Sequence, residues 1–238
     1  MNDFNYSKSY GSYNSTSAVD VQNTLLRKSY VWMAAALLIT GLTSYYVATS
    51  PAVLSLIFGN RLVLYGMIIG ELALVFGLSA SIQRISVVTA TLMFVLYSVL
   101  NGALLSSIFL VFTLGSIATT FFVTAGTFAV MALYGSITKT DLSRMGNILL
   151  MALIGLIIAL VVNIFVKSTM FEMVISAIGV IIFTGLTAYD AQKIKALTYG
   201  VEEDDETQKL AVLGALTLYL DFVNLFLYLL RFLGRRSE

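Results

Sequence analysis

Apolar residues in this chain come in long runs. Most match the 20 or so residues a helix needs to cross the roughly 30 Å hydrocarbon core of a bilayer. The runs predict seven spanning helices, at about 31–50, 62–82, 87–112, 116–137, 146–166, 172–190 or beyond, and 209–233. Pro51, the only proline, marks the turn after the first run. Residues 1–25 are rich in Asn, Ser, Tyr and Gly, and no hydrophobic segment follows a basic start. They predict a disordered cytoplasmic tail and not a cleaved signal peptide. The expected organisation is a tail over 1–25 and an all-α, seven-helix transmembrane domain over 26–238.

The last run departs from a purely apolar pattern. Asp221 stands near its middle, where a carboxylate costs about 2.5–3.5 kcal/mol on insertion scales. At helical spacing Gly214, Thr217, Asp221, Asn224, Tyr228 and Arg231 share one stripe, with Leu, Phe and Val elsewhere, so the stripe must meet protein or water. The sixth run carries a matching stripe of Ser176, Gly179, Phe183, Thr187 and Asp190. Facing stripes would bring Asp190 and Asp221 together. If the sixth helix continues to Gly200, the two lie about 12–15 Å and about 20 Å from the helix ends on that side, a gap that tilt could close.

Composition narrows the chemistry. With 58% hydrophobic and 11% charged residues the chain belongs to the polytopic membrane class. A net charge of +1 gives no general attraction to nucleic acid. The absence of histidine and cysteine removes the ligands of the usual zinc, haem, iron–sulfur and thiol sites and excludes disulfides. No resident cofactor is expected. Between the sixth and seventh runs Gly200 can cap the sixth helix. The acidic residues Glu202 to Glu206 complement the dipole at the start of the seventh, or form a cation-recruiting vestibule. No phosphate loop, EF-hand, nucleophile elbow or zinc-protease motif occurs.

Three acids fall inside the runs: Glu71, Asp190 and Asp221. Intramembrane acids mark ion or proton paths more often than structural networks. Two carboxylates held together away from bulk water cannot easily both ionise, so they share a proton and titrate in coupled steps, forming a pH sensor without histidine. Arg84 is the candidate counter-ion, at the end of a small-residue stripe of Gly70, Ala73, Gly77 and Ala80, although it could also be a simple loop anchor. Glu71, Asn101, Asn224, Thr187 and Thr217 are candidates for a pore lining or a polar network. A transient calcium contact would fall on Asp190 and Asp221.

Several stretches resemble the Bax inhibitor-1 family, and its bacterial branch in particular. They are Leu25-Leu-Arg-Lys-Ser-Tyr30, Leu96-Tyr-Ser-Val-Leu-Asn-Gly102, Thr138-Lys-Thr-Asp-Leu-Ser143, Thr187-Ala-Tyr-Asp-Ala-Gln-Lys-Ile194 and Leu216-Thr-Leu-Tyr-Leu-Asp-Phe-Val-Asn-Leu-Phe226. The resemblance implies a bundle with the last helix central, in a bacterial inner membrane. It also implies a proton-sensitive calcium leak, not an enzyme, with Asp190 and Asp221 as sensor and Arg84 as latch. Spacing from Glu71 to Arg84 differs by about two residues from the family pattern, and the loop between the aspartates is longer than in the shortest bacterial members. The implied partners are the lipid bilayer, calcium and protons. The alternative is a regulator of a membrane-bound ATP-dependent protease, with the tail as its handle.

Charge between the runs sets an expected orientation. Lys8, Arg27, Lys28, Arg84, Lys139, Arg144, Lys193, Lys195 and Lys209 fall on one side, and Arg61, Lys167, Arg231, Arg235 and Arg236 on the other. Nine against five predicts a cytoplasmic N-terminus. Reporter fusions should therefore place residue 1 and the acidic loop in the cytoplasm and residue 238 opposite. Both ends on one side would mean that one of the seven runs does not cross.

Overall fold

The computed structural model describes residues 15–197 and 205–237, with side chains from Thr24 onward. Nine helices form among them: α1 (Ser15–Ala48), α2 (Pro51–Phe58), α3 (Arg61–Ser81), α4 (Val87–Leu105), α5 (Ile108–Val111), α6 (Leu114–Ile137), α7 (Ser143–Val166), α8 (Thr169–Ala196) and α9 (Asp205–Leu233). Seven segments are long and apolar enough to span a membrane, with α4 and α5 together making one of them. The protein is an all-α, multi-pass membrane protein.

Helix ends follow local chemistry. Asn60, Ser86, Thr113 and Ser168 each accept a hydrogen bond from a backbone N–H of the following first turn. Pro51 does more than mark a turn, because it opens α2, where its missing N–H would be unpaired in any case. The third run is broken at Ser106 and Ser107, whose hydroxyls bond back to Ala103 O at 2.6 Å and Leu104 O at 3.1 Å. Such back-bonding bends helices.

The expected tail is shorter than its composition suggests. Residues 15–25 belong to α1, whereas residues 1–14 lie outside the described residues. A packing surface accounts for the extension: Leu25 and Leu26 are buried, and Ser29 Oγ donates to Ala211 O of α9 at 3.1 Å. Gly200 and Glu202 to Asp204 also lie outside the described residues, while Asp205 and Glu206 occupy the first turn of α9 as expected.

α9 is the axis of the bundle. It packs on α1, α8, α6 and α4, whereas α3 packs on α4 and α2, and α7 on α8. Ala215, Leu218, Tyr219 and Leu225 have no exposed surface. A helix so largely buried sits at the centre of a structure, although one stripe of Leu213, Thr217, Leu220, Asn224 and Leu227 is only partly covered and Phe232 and Leu233 at its end are exposed. The lipid-facing surface is carried by outer helices, for example Ile154 and Ile158 of α7 and Ile69 and Phe76 of α3.

Close approach depends on small residues, because lipid offers no hydrophobic drive for one helix to join another. A side chain at Gly102 of α4 would bring its Cβ to 2.6 Å from Thr40 O of α1. Ala188 of α8 likewise leaves no space beside Gly135 of α6. Gly102→Ala should lower the melting temperature in detergent by the equivalent of about 1–3 kcal/mol, since α1 and α4 must separate. Helix propensity alone would give a gain of up to about 1 kcal/mol, so an unchanged or raised melting temperature would contradict the close contact.

Candidate proton-sensing site

α8 and α9 run antiparallel. Phe183 stacks on Tyr228 with ring centroids 5.6 Å apart, and Ile194 lies against Gly214. This register brings the carboxyl groups of Asp190 and Asp221 within hydrogen-bonding reach of one another. Asp190 lies six residues before the α8 end at Ala196, about 9 Å at the helical rise. Asp221 lies sixteen residues into α9, about 24 Å from Asp205. Tilt does not close this difference. The beginning of α9 projects past the end of α8, beside the extended start of α1.

Asp221 is 4% exposed, and its Oδ2 has no hydrogen-bond partner. An ionised carboxylate only accepts hydrogen bonds, so two of them bond directly only when a proton lies between them. Lys193, one turn beyond Asp190 on α8, is the cation whose charge acts on Asp190, and its Nζ also stands over the Tyr189 ring, 5.8 Å from the centroid.

Arg84 does not join this site. It is exposed in the turn after α3 and forms no salt bridge among the described residues. Its small-residue stripe meets α4, with Gly70 near Leu100 and Gly77 near Met93, and α4 separates α3 from α9. Three further candidates bond within their own helices: Thr187 to Phe183 O at 2.7 Å, Thr217 to Leu213 O at 3.1 Å and Asn224 to Leu220 O at 2.8 Å.

Glu71 and Asn101 instead form a second polar cluster. Asn101 Nδ2 donates to Glu71 Oε1, and Tyr97 Oη lies within reach of both. Tyr219 Oη donates to Asn101 Oδ1 at 3.1 Å and stands 2.6 Å from Thr40 Oγ1, which donates to Ser98 O at 2.9 Å. Side chains from α3, α4, α9 and α1 are tied together here. Tyr219 and Thr40 escape a reading of helical stripes, because Tyr219 lies two residues from Asp221 on the opposite face of α9. The available signal was a tyrosine deep within a span, since its hydroxyl needs a partner when buried.

The family model described as "Inhibitor of apoptosis-promoting Bax1" matches residues 22–238. The chain belongs to the Bax inhibitor-1 family. Inner membrane protein YbhL of Escherichia coli K12 is 52% identical over 215 residues, covering 90% of this chain and 92% of the relative. An uncharacterised protein of Borreliella burgdorferi is 46% identical over 219 residues, covering 92% and 94%. The Rickettsia prowazekii protein RP147 is 42% identical over 213 residues, covering 89% of each.

Tyr219→Phe tests the second cluster. Loss of the hydroxyl removes the donor to Asn101 Oδ1 and the close neighbour of Thr40 Oγ1 and should cost about 1–3 kcal/mol, read as a lower melting temperature. Thr40→Val should cost a similar amount, and the two changes together less than their sum, because they remove one shared contact. Strict additivity would show that the hydroxyls do not act together.

Proposed function

We propose that this family member is a pH-regulated cation leak, with calcium the favoured ion and the Asp190–Asp221 pair as its proton sensor. What supports the reading is the approach of two carboxyl groups, buried Asp221 and half-buried Asp190, at the junction of α8 and the central helix. A proton shared at that junction links the pH of the medium to the packing of the bundle.

Near the pair, a proton held between the carboxyls leaves no need for a cation from another helix, and Arg84 stays in its exposed turn. Loss of that proton as pH rises leaves two negative charges together, which repel unless met by a positive group. Lys193 meets part of that charge. Arg84, drawn inward with the end of α3, would meet the rest and close the path, so flux should rise on acidification. Two carboxylates are far fewer than the 6–8 oxygen ligands of a resident calcium site, and among the described residues no group of three or more acidic side chains gathers. That arrangement suits an ion in transit. In this reading the N-terminus is cytoplasmic and no covalent step occurs.

Initial calcium flux into proteoliposomes, measured over about pH 5 to 9, tests the mechanism. Asp190→Asn and Asp221→Asn should each flatten the pH dependence, and the double variant should add little. Arg84→Ala should raise flux at alkaline pH and change it little at acidic pH. Wild-type pH dependence in the double aspartate variant would remove the pair from the mechanism.

A further inference from the structure

α1 and α6 stand on neighbouring sides of α9 without closing on one another, and they are linked by a 3.4 Å contact between Tyr30 Oη and Ser136 Oγ. A fissure remains between them. Its outer part, about 550 Å3, is bounded by Arg27, Tyr30, Leu133, Ser136 and Lys195. Its inner part, about 490 Å3, passes over Ala125, Ala129 and Ala132 to Phe222 on α9. A separate cavity of about 110 Å3 lies on the far side of Phe222, between Leu37, Ser44 and Phe121. The rim is open to the lipid side, since Val31, Leu133 and Ile137 are all more than 60% exposed.

Its polarity is confined to one end. Arg27 is exposed at the mouth, and Lys195 is held there by donating to Ser136 O at 2.8 Å. The hydroxyls of Tyr30 and Ser136 lie just inside, and beyond them the walls are alanine, leucine and phenylalanine. The slot also has a definite length. Ser136 and Ala125, which bound its inner part, are eleven residues apart along α6, about 16 Å, or half of the roughly 30 Å hydrocarbon thickness. That matches one acyl chain in one leaflet and is too short for a helix crossing the whole bilayer. Basic side chains at the entrance of an apolar slot of this length complement a negatively charged headgroup.

We propose that the fissure between α1 and α6 seats one anionic phospholipid, with its phosphate on Arg27 and Lys195 and an acyl chain running inward to Phe222. Phe222 packs against Phe121 and Phe128 of α6, so the end of the chain lies against the α6–α9 contact. This site does not depend on the leak reading, because binding is measured without flux.

The test uses the full chain, purified in a non-ionic detergent and titrated with palmitoyl-oleoyl phosphatidylglycerol or phosphatidylcholine, with bound lipid read by native mass spectrometry. The wild type should retain one phosphatidylglycerol in preference to phosphatidylcholine, by about fivefold per basic side chain. Arg27→Gln combined with Lys195→Gln should remove the preference. Ala129→Phe, which fills the slot, should weaken binding of both lipids, and Ala34→Phe at the outer part gives an independent filling should the first variant fail to fold. Equal retention of the two lipids by the wild type would overturn the proposal, as would undiminished phosphatidylglycerol binding in a folded slot-filled variant.

Discussion

A carboxyl group at the centre of the central helix governs much of this structure. Asp221 is buried on the most deeply buried helix of the bundle, away from bulk water. A lone charge there would be costly. The group beside it is another acid, Asp190, and a second carboxyl satisfies the first only by sharing a proton. In the proposed reading this juxtaposition makes the α8–α9 contact depend on proton number. A lysine–aspartate pair at the same place would hold the helices together without that dependence.

The second polar cluster uses the opposite face of α9 for a different purpose. Tyr219, Asn101, Glu71 and Thr40 join four helices through side-chain hydrogen bonds, and Gly102 lets α1 approach α4 closely where Thr40 bonds to Ser98 O. α9 thus carries the carboxyl pair on one side and a hydrogen-bonded network on the other. A movement of α8 against α9 would leave the α1–α4–α9 contacts in place. The lipid fissure between α1 and α6 opens onto the same central helix, which makes α9 the element through which proton, network and lipid meet.

Much of this was legible in the residues themselves. Spans could be read from run length, because a bilayer demands apolar segments of one length. The Asp190–Asp221 contact followed from two stripes of small and polar residues that had to face protein. The extension of α1 back to Ser15 was not legible, because residues 15–25 carry no apolar periodicity that marks a helix. The position of Arg84 failed for a related reason: a small-residue stripe shows that a helix packs closely but not against which neighbour, and α3 chose α4. Thr187, Thr217 and Asn224 looked like network members, yet each found a carbonyl four residues back, which a polar side chain in a helix always has within reach. Tyr219 was hidden because a stripe analysis centred on Asp221 counts the opposite face of α9 as apolar.

The most direct test of the central claim is infrared difference spectroscopy of the purified protein during a pH titration, with Asp190→Asn and Asp221→Asn measured beside the wild type. A pair that shares one proton should show a carboxylic-acid stretch and a carboxylate stretch changing together, and either single substitution should alter both bands. Two independent carboxyl signals, each removed by one substitution without effect on the other, would contradict the account.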